Sequence, residues 1–122
     1  MTLAVFVPLV AAGALGAVAR AWVAAAIRRR WPRRGLGTLA VNLTGAFLLG
    51  LWVGLPGLPT AWLEVAGTGF LGAFTTFSTW MVEATAAWRG GRRGSVILEL
   101  GAALGAGVAS AALGFALGRV WG

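Results

Sequence analysis

The sequence predicts an all-α membrane protein of four transmembrane helices, the third broken near its middle, and three observations support this. Apolar residues make up 59% of the 122 residues and charged residues 11%, whereas a soluble domain is about half apolar and a quarter charged. Four stretches are nearly free of charge: 2–27 holds only Arg20, and 35–63, 65–82 and 100–118 hold none. The segments between them are short and carry Pro, Gly or Arg. A spanning helix needs roughly 20 apolar residues. Residues 1–122 therefore read as a single four-helix domain, with spans at about 2–27, 37–55, 61–88 and 95–121.

Span one has no basic leader, and its apolar run is longer than that of a signal peptide, so it reads as a mature helix. Pro32 and the charges of Arg28-Arg-Arg-Trp-Pro-Arg-Arg34 stop it. Span two ends at the turn cluster Leu55-Pro-Gly-Leu-Pro59. Span three is long: at about 1.5 Å per residue it reaches roughly 40 Å, against about 30 Å of hydrocarbon. It must tilt or break. Gly67, Gly69 and Gly72, followed by the β-branched pair Thr75 and Thr76, lower helix propensity in its middle. A helix broken at that depth exposes backbone groups to ions. Span four follows Arg89-Gly-Gly-Arg-Arg-Gly94. Gly50/Gly54, Gly101/Gly105 and Gly114/Gly118 are GxxxG pairs, which permit close helix approach.

Eight of the ten cations are arginines in two loops, 28–34 and 89–93. Four spans put both loops on one side. The positive-inside rule makes that side cytoplasmic and turns both termini outward. Arginines flanking long apolar spans point to topology and to contact with the lipid bilayer, not to nucleic acid. The chain has no Cys or His, and no Lys, Asp or Tyr. Its acids are Glu64, Glu83 and Glu99. That leaves few of the groups from which catalysis is built, so no enzyme is expected.

Several polar residues sit inside spans. Arg20 lies about 12 Å along the helix from Arg28 and either has a function or snorkels to the same interface. Asn42 can bond another helix or donate its amide hydrogens to an anion. Thr75, Thr76, Ser78 and Thr79 crowd hydroxyls beside the glycine-rich stretch. Phe77 and Trp80, three apart, share a helix face, and the positive edges of their rings can face an anion. Weak coordination of that kind suits a conducting path, where an ion must bind and still leave. Glu83 lies one turn further on, able to pair with Arg20 or a loop arginine, or to line a vestibule.

These residues resemble the CrcB/Fluc family of fluoride channels. Gly37-Thr-Leu-Ala-Val-Asn-Leu-Thr-Gly-Ala-Phe-Leu-Leu-Gly50 is similar to its G-T-L-x-V-N-x-x-G-x-F-x-x-G signature. Gly69-Phe-Leu-Gly-Ala-Phe-Thr-Thr-Phe-Ser-Thr-Trp80 is similar to its G-F-x-G-x-x-T-T-F-S-T-F. Gly13-Ala-Leu-Gly-Ala-Val-Ala-Arg20 looks like its first-helix G-x-x-G-x-x-x-R. The resemblance covers essentially the whole chain. It implies a subunit of an antiparallel dimer with two pores at the interface, passively exporting fluoride that entered the cell as HF. It places pore residues at Asn42, Phe77, Ser78 and Thr79. It places a structural, untransported sodium ion on the backbone carbonyls of Gly72 and Thr75. Arg20, Thr38 and Glu83 fall on its supporting polar positions.

The second pore phenylalanine of the family is Trp80 here, bulkier and with an N–H. Ser110 falls near a polar track of the fourth helix. Family members that self-pair resemble dual-topology proteins with little arginine bias. The strong bias here favours a paralogue in the opposite orientation over a second copy of this chain. Two other functions compete. A four-helix cation or drug antiporter needs a titrating carboxylate at mid-membrane, which the placement of Glu64, Glu83 and Glu99 does not supply. A non-transporting subunit of a paired channel would not need the Gly/Thr/Phe cluster.

Overall fold

The computed structural model describes residues 2–122, and the described residues form helices without a strand. Met1, the first residue of the expected domain, lies outside them. Helix α1 is Leu3–Arg30 and α2 is Leu36–Gly54. Helix α3, 60–74, opens with one α turn, Thr60–Trp62, is π-wound over Leu63–Leu71 and closes with one α turn, Gly72–Phe74. Helix α4 is Ser78–Arg89 and α5 is Arg93–Trp121. Three of these, α1, α2 and α5, are long and apolar enough to cross a membrane.

The boundaries follow local chemistry. Three of the four connections turn on one glycine with positive φ: Gly35, Gly57 and Gly91. Such a backbone suits glycine, which has no Cβ to clash. Helix α1 runs further than the charge cluster suggested. Arg28, Arg29 and Arg30 form its last turn, where cations complement the carbonyl end of the helix dipole. Arg30 stacks 5.1 Å over Trp31 and Arg93 5.3 Å over Trp88, pairings suited to the headgroup level of a bilayer.

Glycine sets the packing. A Cβ at Gly50 would collide with the carbonyl of Ala111, one at Gly54 with that of Phe115, one at Gly114 with that of Phe47, and one at Gly118 with that of Leu51. The GxxxG pairs of α2 and of the end of α5 therefore face each other, backbone on backbone. Ser110 Oγ donates to the Leu43 carbonyl at 2.8 Å across the same seam, so Ser110 is an interhelical tie. The third pair, Gly101 and Gly105, meets nothing within 4 Å.

Helix α1 uses glycine in the same way. Gly16 lies on the Phe70 carbonyl, and a Cβ at Gly69 would come 2.8 Å from the carbonyl of Leu9. Ala24, Val41 and Phe74 form a small core, flanked by Ala19 and Phe70. Most other large apolar side chains are exposed, among them Trp22, Leu98 and Val108. Contiguous apolar surface on this scale is rare on soluble monomers, and lipid covers it in a membrane protein.

The glycines of 61–88 do not interrupt the helix. Gly67 and Gly69 stay within the π-wound segment and are buried. Helical structure stops after Phe74, where Thr75 is extended at φ −82°, ψ 159°, and resumes at Ser78.

Candidate functional site

The gap between α3 and α4 is held open by a side chain from α2. Asn42 Nδ2 donates to the Thr76 carbonyl at 2.9 Å, and the Thr76 N–H donates to Asn42 Oδ1 at 2.8 Å. One carboxamide thus replaces, for this residue, the two backbone bonds a continuous helix would make. The fit also fixes which end of the amide is nitrogen. Asn42 could bond another helix or offer its amide to an anion. The first occurs: one Nδ2 hydrogen is committed to the backbone, and the other has no hydrogen-bond partner among the described residues.

Thr76 then organises the start of α4. Its Oγ1 accepts from the Thr79 N–H at 3.2 Å and lies 3.4 Å from Ser78 Oγ, so its hydroxyl satisfies a first-turn amide as a capping group does. Thr75 bonds back, donating at 3.3 Å to the carbonyls of Leu71 and Gly72. Its methyl group packs where Gly45 of α2 lacks a Cβ. The last backbone bond before the gap runs from Thr75 N–H to the Leu71 carbonyl, and no backbone amide among the described residues donates to the carbonyls of residues 72–75. The gap therefore presents a carbonyl end and an amide end side by side.

Beyond the gap, Phe77 is 69% exposed and Ser78 and Thr79 are exposed. The rings of Phe77 and Trp80 meet edge to face, 5.9 Å between centroids and 76° between planes. One turn on, Glu83 accepts from buried Thr38 Oγ1 at 2.8 Å. Its other oxygen lies 3.5 Å from the Cβ position of Gly35. Of the alternatives open to Glu83, pairing with Arg20 or a loop arginine does not occur. The one ion pair among the described residues joins Arg34 and Glu99 at 2.8 Å, and Arg20, half-buried on α1, takes no part in it.

Two adjoining hollows lie between α2, α4 and α5. One, of about 430 Å³, includes Arg33, Arg34, Glu83 and Glu99 in its lining. The other, of about 320 Å³, includes Asn42, Leu43 and Gly107. Leu39, Trp80 and Ala103 line both. Through this shared waist the two hollows make one groove, with Asn42 of the clasp on the wall at one end and the arginines at the other.

A family profile described as CrcB-like protein, Camphor Resistance (CrcB), matches residues 7–115. The chain belongs to the CrcB family. The protein named fluoride-specific ion channel FluC 1 of Symbiobacterium thermophilum is 46% identical over 118 residues, covering 91% of this chain and 93% of its own. The FluC 1 of Geobacillus kaustophilus is 45% identical over 107 residues, covering 88% and 91%. The FluC 2 of Mycobacterium tuberculosis is 40% identical over 115 residues, covering 93% and 90%.

The CrcB-like segments, separate in sequence, touch in space: Gly16 meets Phe70, Gly45 meets Thr75, and Asn42 meets Thr76. Of the expected site residues, Asn42, Ser78 and Thr79 gather around Thr76, with Phe77 and Trp80 next to them. Thr38 and Glu83 form a second cluster on the groove, and Gly72 and Thr75 sit at the carbonyl end. Arg20 stays apart from their hydrogen bonds. Thr76 itself was not singled out as a site residue. Its place beside Thr75, just before the second half-helix, was the available signal.

Proposed function

We propose that this chain is the subunit of a fluoride channel, passively exporting fluoride that accumulates when HF crosses the bilayer and dissociates. The observation that carries the proposal is the clasped break, with Asn42 and Trp80 on the wall of the adjoining groove. An anion can meet amide, hydroxyl and ring-edge donors there, in a chain whose CrcB relatives are named fluoride-specific channels. In this reading α3 and α4 together cross the membrane as a fourth, broken span. The free Asn42 amide hydrogen, Ser78, Thr79 and the ring edges of Phe77 and Trp80 line the ion's path. Each is a neutral donor, and neutral donors hold an anion loosely enough to release it. The N-terminal end of α4 adds its partial positive charge. Conduction needs no covalent chemistry, so the chain is no enzyme.

The carbonyl end of the break suits a hard cation. Among the described residues no three His, Cys, Asp or Glu side chains converge, so any cation at the break must be held by neutral oxygens. The carbonyls of residues 72–75 lack amide partners. Gly72 and Thr75 would hold a sodium ion there, supplying fixed positive charge at the centre of the assembly.

Both termini face outward, the loops 28–34 and 89–93 face the cytoplasm, and the partner is an oppositely oriented subunit, a paralogue in preference to a second copy. The strong arginine bias supports this. The test is fluoride release from liposomes, read with a fluoride electrode and with chloride as control. Fluoride release without chloride release is expected. Equal passage of both ions would overturn the channel's specificity. Robust release from this chain alone would overturn the obligate paralogue.

A further inference from the structure

The wide end of the groove carries more charge than conduction by neutral donors requires. Arg33 and Arg34 line it, and so do Glu83 and Glu99. The four groups are not equivalent. Arg34 Nη2 donates to both oxygens of Glu99, at 3.0 and 2.8 Å, and Ser95 Oγ donates to Glu99 Oε1 at 2.8 Å. Glu83 is engaged by the Thr38 hydroxyl. Arg33 enters no ion pair among the described residues.

Glu99 therefore cancels Arg34 where the groove opens. Four residues separate Glu99 from Ala103 at the waist, about 6 Å along the helix. A unit charge at that range acts on an ion approaching the waist. The pair is also partly exposed, with side chains 33% and 54% accessible. Exposed pairs of this kind contribute little to holding a fold together. Its position on the groove wall makes it a control of local potential.

We propose that Glu99 is a charge brake: by neutralising Arg34 it sets how strongly the arginine-lined mouth concentrates the permeating anion. This rests on the channel reading above. Removing the Glu99 charge adds one positive unit to the mouth, and removing that of Arg34 subtracts one. Removing both leaves the net charge unchanged. At roughly 8 Å in water, one unit changes local anion concentration about twofold. The effect persists at about 10 mM salt, where screening acts over about 30 Å, and vanishes near 1 M, where it acts over about 3 Å.

The experiment measures fluoride flux in liposomes at constant fluoride gradient, with ionic strength set by an impermeant salt on both sides. The full chain is used in whichever pairing conducts. Glu99→Gln is expected to raise flux about twofold at low salt, and Arg34→Gln and Arg33→Gln to lower it by a similar factor. The double variant Arg34→Gln/Glu99→Gln is expected to match wild type. All differences close at high salt. A double variant as impaired as Arg34→Gln, or changes that persist at 1 M salt, would show a structural brace and overturn the proposal. Unaltered flux in every variant would overturn it as well. A wild-type chain that conducts no fluoride in any pairing defeats the channel reading itself, and the brake with it.

Discussion

The two halves of α5 carry the same GxxxG pattern and meet opposite fates. Gly114 and Gly118 lie against the carbonyls of Phe47 and Leu51, matched by Gly50 and Gly54 from the other side, while Gly101 and Gly105 meet no atom. The motif confers only the ability to approach closely. Contact needs a second helix that has also given up its side chains. Where α2 supplies such a face, the helices lock. Gly101 and Gly105 lie on an exposed face of α5 and line neither hollow, while Ala103 of the same half lines the groove with Leu39 and Trp80. The locked half is the scaffold, and the open half borders the groove. The experiments that probe this division fall in order of expected effect.

Gly114→Leu strikes the locked half hardest. Its side chain would drive into backbone atoms of Phe47 and Leu51, which cannot rotate away as a side chain can. A loss of at least about 3 kcal/mol is expected, read as loss of a single dispersed species by size exclusion in detergent. A monodisperse, fully active variant would break the division. Asn42→Ala comes next. It strands the N–H and carbonyl of Thr76, which is 9% exposed, at about 1–3 kcal/mol for each group left without a partner. Fluoride flux is expected to fall at least tenfold in the liposome assay, and unchanged flux would remove the clasp from the working site.

Trp80→Phe acts on the open half alone. A smaller ring at the waist is expected to raise flux by about twofold or more while the thermal midpoint stays within a few degrees. A fall in flux would mean that the indole itself coordinates the ion. Gly105→Ala has the smallest effect. With nothing near it, the added methyl is expected to stabilise the helix by roughly 0.5–1 kcal/mol, read by denaturant titration. Destabilisation instead would show that the partner subunit packs on this face and would sharpen the comparison into a map of the dimer contact.

What could be read from the sequence follows the range of the forces involved. Pro32, Pro56, Pro59 and the turn glycines act within a few residues, so the ends of the long helices were legible to within about three positions. The exact position of the break was not. The weak stretch ran from Gly67 to Thr76, and its glycine part stays wound, with Gly67 and Gly69 buried against α2 and α1. The chain opens at 75–77, where Asn42, 34 residues away, bonds the backbone. The partner of Glu83 was likewise left open among arginines and a vestibule, and the Thr38 hydroxyl, 45 residues away, reaches it. Choosing between two identical glycine pairs on α5 also required knowing what lay opposite.

The clasp between Asn42 and the break constrains substitution unequally at its two ends. At position 76 the bonding groups belong to the peptide, so any residue except proline presents them, and the threonine hydroxyl is needed only for its cap on α4. At position 42 a side chain must offer one donor and one acceptor at a fixed reach. Aspartate has no donor, leucine has neither, and glutamine is a methylene too long for the same gap. Substitution at position 76 therefore spares the clasp itself, and the shape of the break is inherited through a residue on a different helix.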